Sequence, residues 1–415
     1  MSKAEKLDAV LGAMIASAED ISDLLFIPGK RPQVEVHGVL RTPALDWPAP
    51  PHDAALIEEL ADVIMADNPK LKQDLRERGS CDCSYTFQNY CRFRVNVYRK
   101  YKKLAMVLRL LKPLVPSIEA LGLNPIFKEV IKENNGITFV TGAAGNGKTT
   151  TLAALVNEIN RTRSVHIITL EDPVEFLYEH DQAAISQREL GHDFFTFSEG
   201  LRSALRQAPK VVLVGEIRDR ETLEIALNAG ETGMMIYGTL HTISAAQTIH
   251  RILGMFHKDE EKQIRERLAG CLRYVIGQRL VPKKNSGRLL ITEVMGHNLR
   301  TQEAIALGEN EGRRLTEIIE SGKHAGWHSF EQSLLGACAQ DLITEETAML
   351  YATNKPGMRQ MLDAARGKTH FIRNRNQASP MIVVESYEPP KPVLASKPTG
   401  LNMAGNSQND LCPPG

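Results

Sequence analysis

The chain has 415 residues, 42% of them hydrophobic, and its 50 Lys and Arg residues equal its 50 Asp and Glu residues in number. This length predicts two or three domains with ample core material, while the zero net charge argues against nucleic acid and anionic lipid as partners. Six scattered cysteines without a C-x-x-C pair indicate reduced cytosolic thiols rather than a zinc site.

The N-terminus has some likeness to a secretory signal, with early lysines and small residues. However, Asp8 interrupts the apolar part, and Leu7, Leu11 and Met14 recur at helical spacing. We therefore predict an amphipathic first helix.

Residues 1–112 are predicted to form an α+β domain with an antiparallel sheet. Strands are indicated by "LLFIPG", "QVEVHGVLR", "CDCSYTFQ", "YCRFRVNVYRK" and "LAMVLRLL", with a charged helical stretch over about residues 52–78. Residues 113–117, "PLVPS", are the predicted linker.

Residues 118–372 alternate short apolar runs with helical segments, which is typical of an α/β domain with a mostly parallel sheet covered on both faces. A helical region from about residue 300 to 366 closes this domain. Residues 373–415 are predicted to be a disordered tail, because seven of the chain's 21 prolines lie in the last 36 residues. Ligands of such parallel sheets bind at the carboxyl ends of the strands.

The stretch "GAAGNGKT" has the G-x-x-x-x-G-K-T spacing of a phosphate loop and lies between a strand and a helix. Its glycines allow backbone N–H groups to face phosphates, Lys148 can reach the β and γ oxygens, and Thr149 can ligate Mg²⁺. The candidate nucleotide-binding residues are Gly142, Gly145, Asn146, Gly147, Lys148, Thr149 and Thr150.

Carboxylates follow at the ends of later strands. "KVVLVGE" ends in Glu216, and "IITLEDPVEF" supplies Glu171, Asp172 and Glu175. One carboxylate can hold the metal while another orients or deprotonates water, so we predict a hydrolysis site here. His241 in "GTLHTISA" stands at another strand end, within reach of a γ-phosphate or of the acids.

These residues stand within longer motifs: "GAAGNGKTTTLAAL", "IITLEDPVEF", "ISQRELG", "FSEGLRSALRQAPKVVLVGEIRDRETLEIAL", "AGETG" and "YGTLHTISAAQTIHRI". Together they resemble the secretion ATPase family of type IV pilus and type II secretion motors, with its Walker A, Asp box, Walker B and His box in order. The likeness extends over about residues 20–355. Within the family, the chain is most similar to the pilus retraction ATPases of the PilT and PilU kind, because it lacks the long N-terminal extension and the four-cysteine insert of other members.

The resemblance implies a RecA-like P-loop domain preceded by a smaller PAS-like domain, with ATP and Mg²⁺ as ligands. It implies that Glu171 activates water, that Glu216 with Thr149 serves the metal, and that His241 is a His-box residue. Arg94 and Arg109 resemble an arginine pair that reaches the nucleotide across an interface. A cytoplasmic homohexamer is implied, bound to an inner-membrane platform protein at the pilus base and working with paralogous pilus ATPases.

The chain departs from the family pattern at three places. Met234 replaces a second histidine after "ETG", Ala208 and Lys210 stand where many members have acids, and "HNLRTQEAI" matches the retraction motif "AIRNLI" poorly. The last departure leaves assembly or secretion open as alternatives to retraction. From other classes, an ATP-binding regulatory subunit without hydrolysis, a translocase on nucleic acid and, as the weakest, a small-molecule kinase also stay open.

Overall fold

The computed structural model describes residues 2–369 except residues 20, 37, 51, 67, 89–90, 112–114 and 286. The tail predicted for residues 373–415 and part of the predicted linker therefore lie outside the described residues.

The N-terminal region forms an antiparallel sheet packed against helices, as predicted. Within the described part of this region, the sheet has six strands in the order β3-β2-β1-β6-β5-β4. In chain order its elements are α1 (Lys3–Ile15), β1 (Ile21–Phe26), β2 (Gln33–Val36), β3 (Val39–Arg41), α2 (His52–Met65), α3 (Pro69–Glu77), β4 (Ser80–Phe87), β5 (Cys91–Lys100) and β6 (Lys103–Leu111). This sheet, called the small sheet below, has its own apolar core.

The first helix, α1, is amphipathic, because its apolar residues recur at helical spacing and lie on one face. A capping box joins Ser2 to Glu5 and satisfies backbone N–H groups at its start. Leu7, Leu11 and Met14 are fully buried in the core of the small sheet. The predicted helix is thereby confirmed.

The second sheet, called the large sheet, is parallel except for its edge strand β13. Over the described residues it has seven strands in the order β13-β12-β7-β11-β10-β8-β9. Its strands and helices are α4 (Ile126–Val130), β7 (Gly136–Thr141), α5 (Lys148–Thr162), β8 (His166–Glu171), β9 (Ala184–Glu189), α6 (Phe197–Ala204), β10 (Val211–Val214), α7 (Arg220–Glu231), β11 (Met235–Leu240), α8 (Ala245–Leu253), α9 (Glu261–Cys271), β12 (Leu272–Pro282) and β13 (Arg288–Met295).

A helical region follows the large sheet, as predicted. It consists of α10 (Leu299–Leu307), α11 (Leu315–Ser321), α12 (Phe330–Ala339), α13 (Glu345–Tyr351) and α14 (Lys355–Thr369). Short 3-10 turns occur at Lys258–Glu260 and Gly322–Ala325. No helix in the described ranges has both the length and the apolarity needed to cross a bilayer.

The central strands have continuous apolar runs instead of an alternating pattern. Every residue of β7, β10 and β11 is buried, because helices cover both faces of the parallel sheet. The predicted α/β, RecA-like fold class is therefore confirmed. The domain boundaries, and the similarity of the small sheet to a PAS domain, stay predictions.

Candidate active site

The phosphate loop lies between the end of β7 and the start of α5. Gly142, Gly145 and Gly147 have φ angles of 145°, 77° and 80°, which residues with a Cβ rarely adopt. Gly142 also passes close to β12, since an added Cβ would lie 2.6 Å from the carbonyl oxygen of Gln278. The loop thus turns its backbone into the N-terminus of a 15-residue helix, an arrangement that favours anions.

Lys148 occupies the first position of α5 and bends back over the loop. Its Nζ donates to the carbonyl oxygens of Gly142 at 2.9 Å and of Ala143 at 3.1 Å. Burial lowers the pKa of Lys148, against the charges of Glu216 and Glu175, which act to raise it. A half-buried cation is therefore held beside two carboxylates and the loop. Thr149 and Thr150 follow in the first turn of α5, and both are partly exposed.

Asn146 anchors the loop to the neighbouring strand β12. Its Nδ2 donates to the carbonyl oxygen of Gln278 at 3.2 Å, and its Oδ1 accepts from the N–H of Leu280 at 3.3 Å. The side-chain amide is thus bound to backbone at both ends. Its predicted contact with nucleotide stays a prediction, and what the structure shows is a side chain that positions the loop.

Glu171 is the last residue of β8 and its side chain is buried. Its Oε1 accepts hydrogen bonds from Thr169 Oγ1 at 2.7 Å and from Gln187 Nε2 at 3.3 Å. Burial raises the pKa of Glu171 to about 7, although the hydrogen bonds from Thr169, Gln187 and the backbone of Glu175 oppose the shift. A carboxyl with this pKa can exchange a proton with water near neutral pH.

Glu216 and His241 meet beyond the ends of β10 and β11. His241 Nε2 lies 3.1 Å from Glu216 Oε1, and Arg218 Nη2 donates to Glu216 Oε2 at 2.5 Å. Burial opposes ionisation of Glu216, but the hydrogen bond from Arg218 and the charges of Arg218, His241 and Lys148 hold its pKa below the usual value. Glu216 is thus an anion near Lys148. Arg218 is not among the predicted site residues, although it stands in the motif "EIRD".

Strand order explains why these groups converge. β8, β10, β11 and β7 are neighbours in the sheet, and Val214 of β10 pairs with Leu170 of β8 and with Gly238 of β11. Parallel strands in this register end at one edge. Glu171, Glu216 and His241 therefore lie at the same edge as the phosphate loop.

The two predicted arginines of the small sheet face the acids of their own chain. Arg94 and Arg109 are paired across β5 and β6. Burial raises the pKa of Glu175, while a hydrogen bond with Thr149 and the charges of Arg94, Arg109 and Lys148 act to lower it. Arg109 Nε also lies 3.0 Å from Asp23 Oδ1. Within the chain, both arginines thus lie near enough to Glu175 to influence its charge. Their predicted contact with a nucleotide across an interface between protomers stays a prediction.

The departures at Met234, Ala208 and Lys210 lie at the opposite edge of the large sheet. Met234 directly precedes β11, and Ala208 and Lys210 precede β10. The five residue steps of β11 span about 16 Å at roughly 3.3 Å per residue. These three positions therefore lie about one strand length away from the groups at the phosphate-loop edge.

Gly215 follows β10, directly before Glu216, and packs against the end of β8, so it provides a test of how closely Glu171 and Glu216 are spaced. An added Cβ would lie 2.9 Å from Leu170 O and 3.3 Å from Glu171 Cα, both backbone atoms. We expect Gly215→Ala to lower the free energy of unfolding by about 1–3 kcal/mol, measured by urea denaturation, because the backbone of Glu171 must shift. Gly270→Ala in α9 is the control, since its Cβ would meet nothing within 4 Å. Equal stability of the two variants would contradict the packing argument.

A parallel α/β sheet with a phosphate loop and acidic residues at its carboxyl edge defines the P-loop class of nucleotide-binding domains. The model of the type II/IV secretion system protein family matches residues 64–348. The chain belongs to this family.

Individual relatives extend the similarity over most of the chain. The type IV pilus retraction ATPase PilT of Pseudomonas aeruginosa is 37% identical over 333 residues, which cover 80% of this chain and 94% of the relative. A twitching motility protein of Neisseria gonorrhoeae is 36% identical over 79% of this chain and 86% of its own length. A crystal structure of the pilus retraction motor PilT with bound ADP has a TM-score of 0.75 at 35% identity and covers 85% of this chain and 98% of that one.

Proposed function

We propose that this chain is an ATPase that drives retraction of a type IV pilus as a homohexamer. The observation that carries the proposal is the convergence of Glu171, Glu216 and His241 on the edge of the sheet where the phosphate loop holds Lys148. The similarity to a retraction ATPase and to a motor structure with bound ADP supports both the nucleotide and the direction of work.

The residues at this edge fit ATP and Mg²⁺. Three positive-φ glycines and the N-terminus of α5 suit a triphosphate, and Thr149 and Glu216 offer oxygens for a metal. Among the described residues, no group of three or more His, Cys, Asp and Glu side chains could hold a metal alone. This suits Mg²⁺, which commonly takes one or two protein ligands together with phosphate oxygens. When bound, Mg²⁺ would neutralise charge that develops on the transferred phosphoryl group.

In the proposed reaction, Glu171 accepts the proton of the attacking water. Thr169 and Gln187 hold its Oε1, so the carboxylate stays oriented during the transfer. Lys148 neutralises the β and γ oxygens, and His241 orients Glu216 through the 3.1 Å contact. Arg94 and Arg109 add positive charge from the small sheet, with the nucleotide held between the small sheet and the large sheet.

The cellular part of the proposal rests on the relatives. A retraction ATPase acting at the cytoplasmic base of a pilus would be peripheral to the inner membrane through a platform protein, and paralogous pilus ATPases would be further partners. Loss of the gene is expected to give cells with more surface fibres and no twitching. Bald cells would indicate assembly instead, and unchanged fibres with a secretion defect would indicate a secretion ATPase.

Turnover tests the hydrolytic part. We expect purified protein to hydrolyse ATP and Glu216→Gln to lower turnover roughly tenfold to a hundredfold, because the substitution removes the charge that Arg218 and His241 hold in place. Glu221→Gln is the matched control, since Glu221 forms an exposed ion pair with Arg202 at 2.7 Å. A low background that neither substitution changes would favour the regulatory subunit without hydrolysis.

A further inference from the structure

The buried carboxylate of Glu189 joins the small sheet to residues 171–175 at the end of β8, called the acidic segment below. Glu189 ends β9 and is only 4% exposed. Ser84 Oγ of β4 donates to its Oε1 at 2.6 Å, and Arg92 of β5 forms an ion pair with its Oε2. The N–H of Val174 donates to the same Oε2 at 3.1 Å.

Glu189 is also next to Glu171 in the sheet. The parallel register of β8 and β9 pairs Glu171 with Glu189, and the N–H of Leu190 donates to the carbonyl oxygen of Glu171 at 2.9 Å. Val174 follows Glu171 by three residues. The backbone of Leu190 therefore holds the backbone of Glu171, and the side chain of Glu189 holds the backbone of Val174.

Arg92 and Glu189 form an ion pair that is largely shielded from solvent. The side chains of Arg92 and Glu189 are 16% and 6% exposed, and Arg92 Nη2 also donates to Ser84 Oγ at 2.8 Å. Within the part of the chain that the structure describes, Arg92 Nε is buried without a hydrogen-bond partner. Because either charge left alone would be buried without compensation, separation of the pair is strongly unfavourable. Ser84, Arg92 and Glu189 should move together.

Arg92 is distinct from the arginine that acts on the acids directly. Arg92 and Arg94 are two residues apart on β5 and so share a face of the strand. The charge of Arg94 acts on Asp172 and Glu175, whereas Arg92 is bound to Glu189. The small sheet thus holds the acidic segment through Glu189 as well as by charge.

We propose that Ser84, Arg92 and Glu189, called the clasp, couple the position of the small sheet to the backbone of residues 171–175 and so position Glu171 for its reaction. The link to catalysis rests on the proposed function, and the three are positioning residues that touch no reacting atom. A movement of the small sheet must either carry residues 171–175 with it or break a buried ion pair. Rigid-body movement of one domain against another is a common switching device, and the clasp would transmit it to the site.

Hydrogen–deuterium exchange on the full-length protein tests the coupling without any need for turnover. We expect Arg92→Gln to raise the exchange rate of the amides in residues 171–176 roughly tenfold, since the N–H of Val174 loses a fixed acceptor. Ser84→Ala removes two hydrogen bonds, the one to Glu189 and the one from Arg92, but keeps the ion pair, so it gives a folded variant with a smaller increase. Lys6→Gln is the control, because Lys6 pairs with Glu59 at 3.0 Å in the same N-terminal region. Exchange that rises only in β4 and β5, with residues 171–176 unchanged, would overturn the proposal.

Kinetics test the link to catalysis. In Arg92→Gln we expect kcat to fall about tenfold while the Kd for ADP stays within about twofold, a split that general loss of structure does not produce. The double variant Arg92→Gln/Glu189→Gln replaces the ion pair with two amides, and its kcat should be no lower than that of the worse single variant. Additive losses, or ADP affinity falling in parallel with kcat, would overturn the coupling. Absence of turnover in the wild-type protein would instead overturn the proposed function and leave the exchange test standing.

Discussion

Lys148→Ala is expected to weaken ATP binding roughly 30-fold to 5,000-fold, the equivalent of about 2–5 kcal/mol for truncation of one partner of a desolvated charge pair. The ammonium group already bends over the loop, with Gly142 O and Ala143 O at 2.9 and 3.1 Å. It therefore reaches phosphates bound there with little reorganisation. Isothermal titration calorimetry with ATP and with ADP measures the change.

The melting temperature of Lys148→Ala shows whether the loss of ATP affinity is due to unfolding. Burial lowers the pKa of Lys148, which means that the charged form is held at a cost in the folded chain. Its removal should therefore leave the melting temperature nearly unchanged while affinity falls. Lys132→Ala is the matched control, because Lys132 is an exposed lysine paired with Glu129 at 2.7 Å. Undiminished ATP affinity in Lys148→Ala would mean that the nucleotide binds elsewhere.

The local sequence pattern is sufficient to predict most of the fold and the phosphate loop. The strands β7, β10 and β11 are buried along their whole length, so their sequences are continuous apolar runs that predict central strands of a parallel sheet. The spacing of Gly142, Gly147 and Lys148 is likewise local, because the loop and the first turn of α5 are contiguous in the chain.

Sequence pattern does not predict strand β9, because few of its residues are apolar. Of its six residues only Ile185 and Glu189 are buried, and the second is a carboxylate. Burial of Glu189 depends on Arg92, which is 97 residues away in the chain. No rule of local periodicity predicts such a pair, although the alternating positions of Arg92 and Arg94 in "RFRVN" were a signal that more than one arginine faces the site.

Contacts with residues far away in the chain also determine the role of Asn146 in the phosphate loop. Asn146 lies in the middle of the phosphate loop, and its spacing predicts a nucleotide contact. Its side chain binds the backbone of β12, 132 residues later in the chain, a contact that the spacing does not predict. The register of β12 against β7 determines this contact, and a single sequence gives no access to that register.

Glu171→Gln is expected to lower kcat roughly 10²-fold to 10⁴-fold, the usual contribution of a positioned general base, with unchanged affinity for ADP. Glutamine has the same shape and retains an oxygen that can accept from Thr169 Oγ1, so the fold around β8 should persist. Single-turnover ATP hydrolysis and ADP titration separate chemistry from binding. Glu331→Gln serves as control, because Glu331 is another buried carboxylate, which accepts from the N–H groups of Thr353 and Asn354 at 2.8 Å each.

The pH dependence of the wild-type protein tests the same assignment. Glu171 must be ionised to accept a proton. Burial, and to a smaller extent the charge of Glu175, raises its pKa to about 7, although the hydrogen bonds from Thr169 and Gln187 act to lower it. The value of kcat/KM should therefore rise with pH through about 7, with a fall of about tenfold per unit on the acid side. That limb should be absent from the residual activity of Glu171→Gln. A wild-type profile that is flat between about pH 5.5 and 8 would mean that a carboxyl of ordinary pKa, or no carboxyl, takes the proton, because an ordinary glutamate is already ionised across that range.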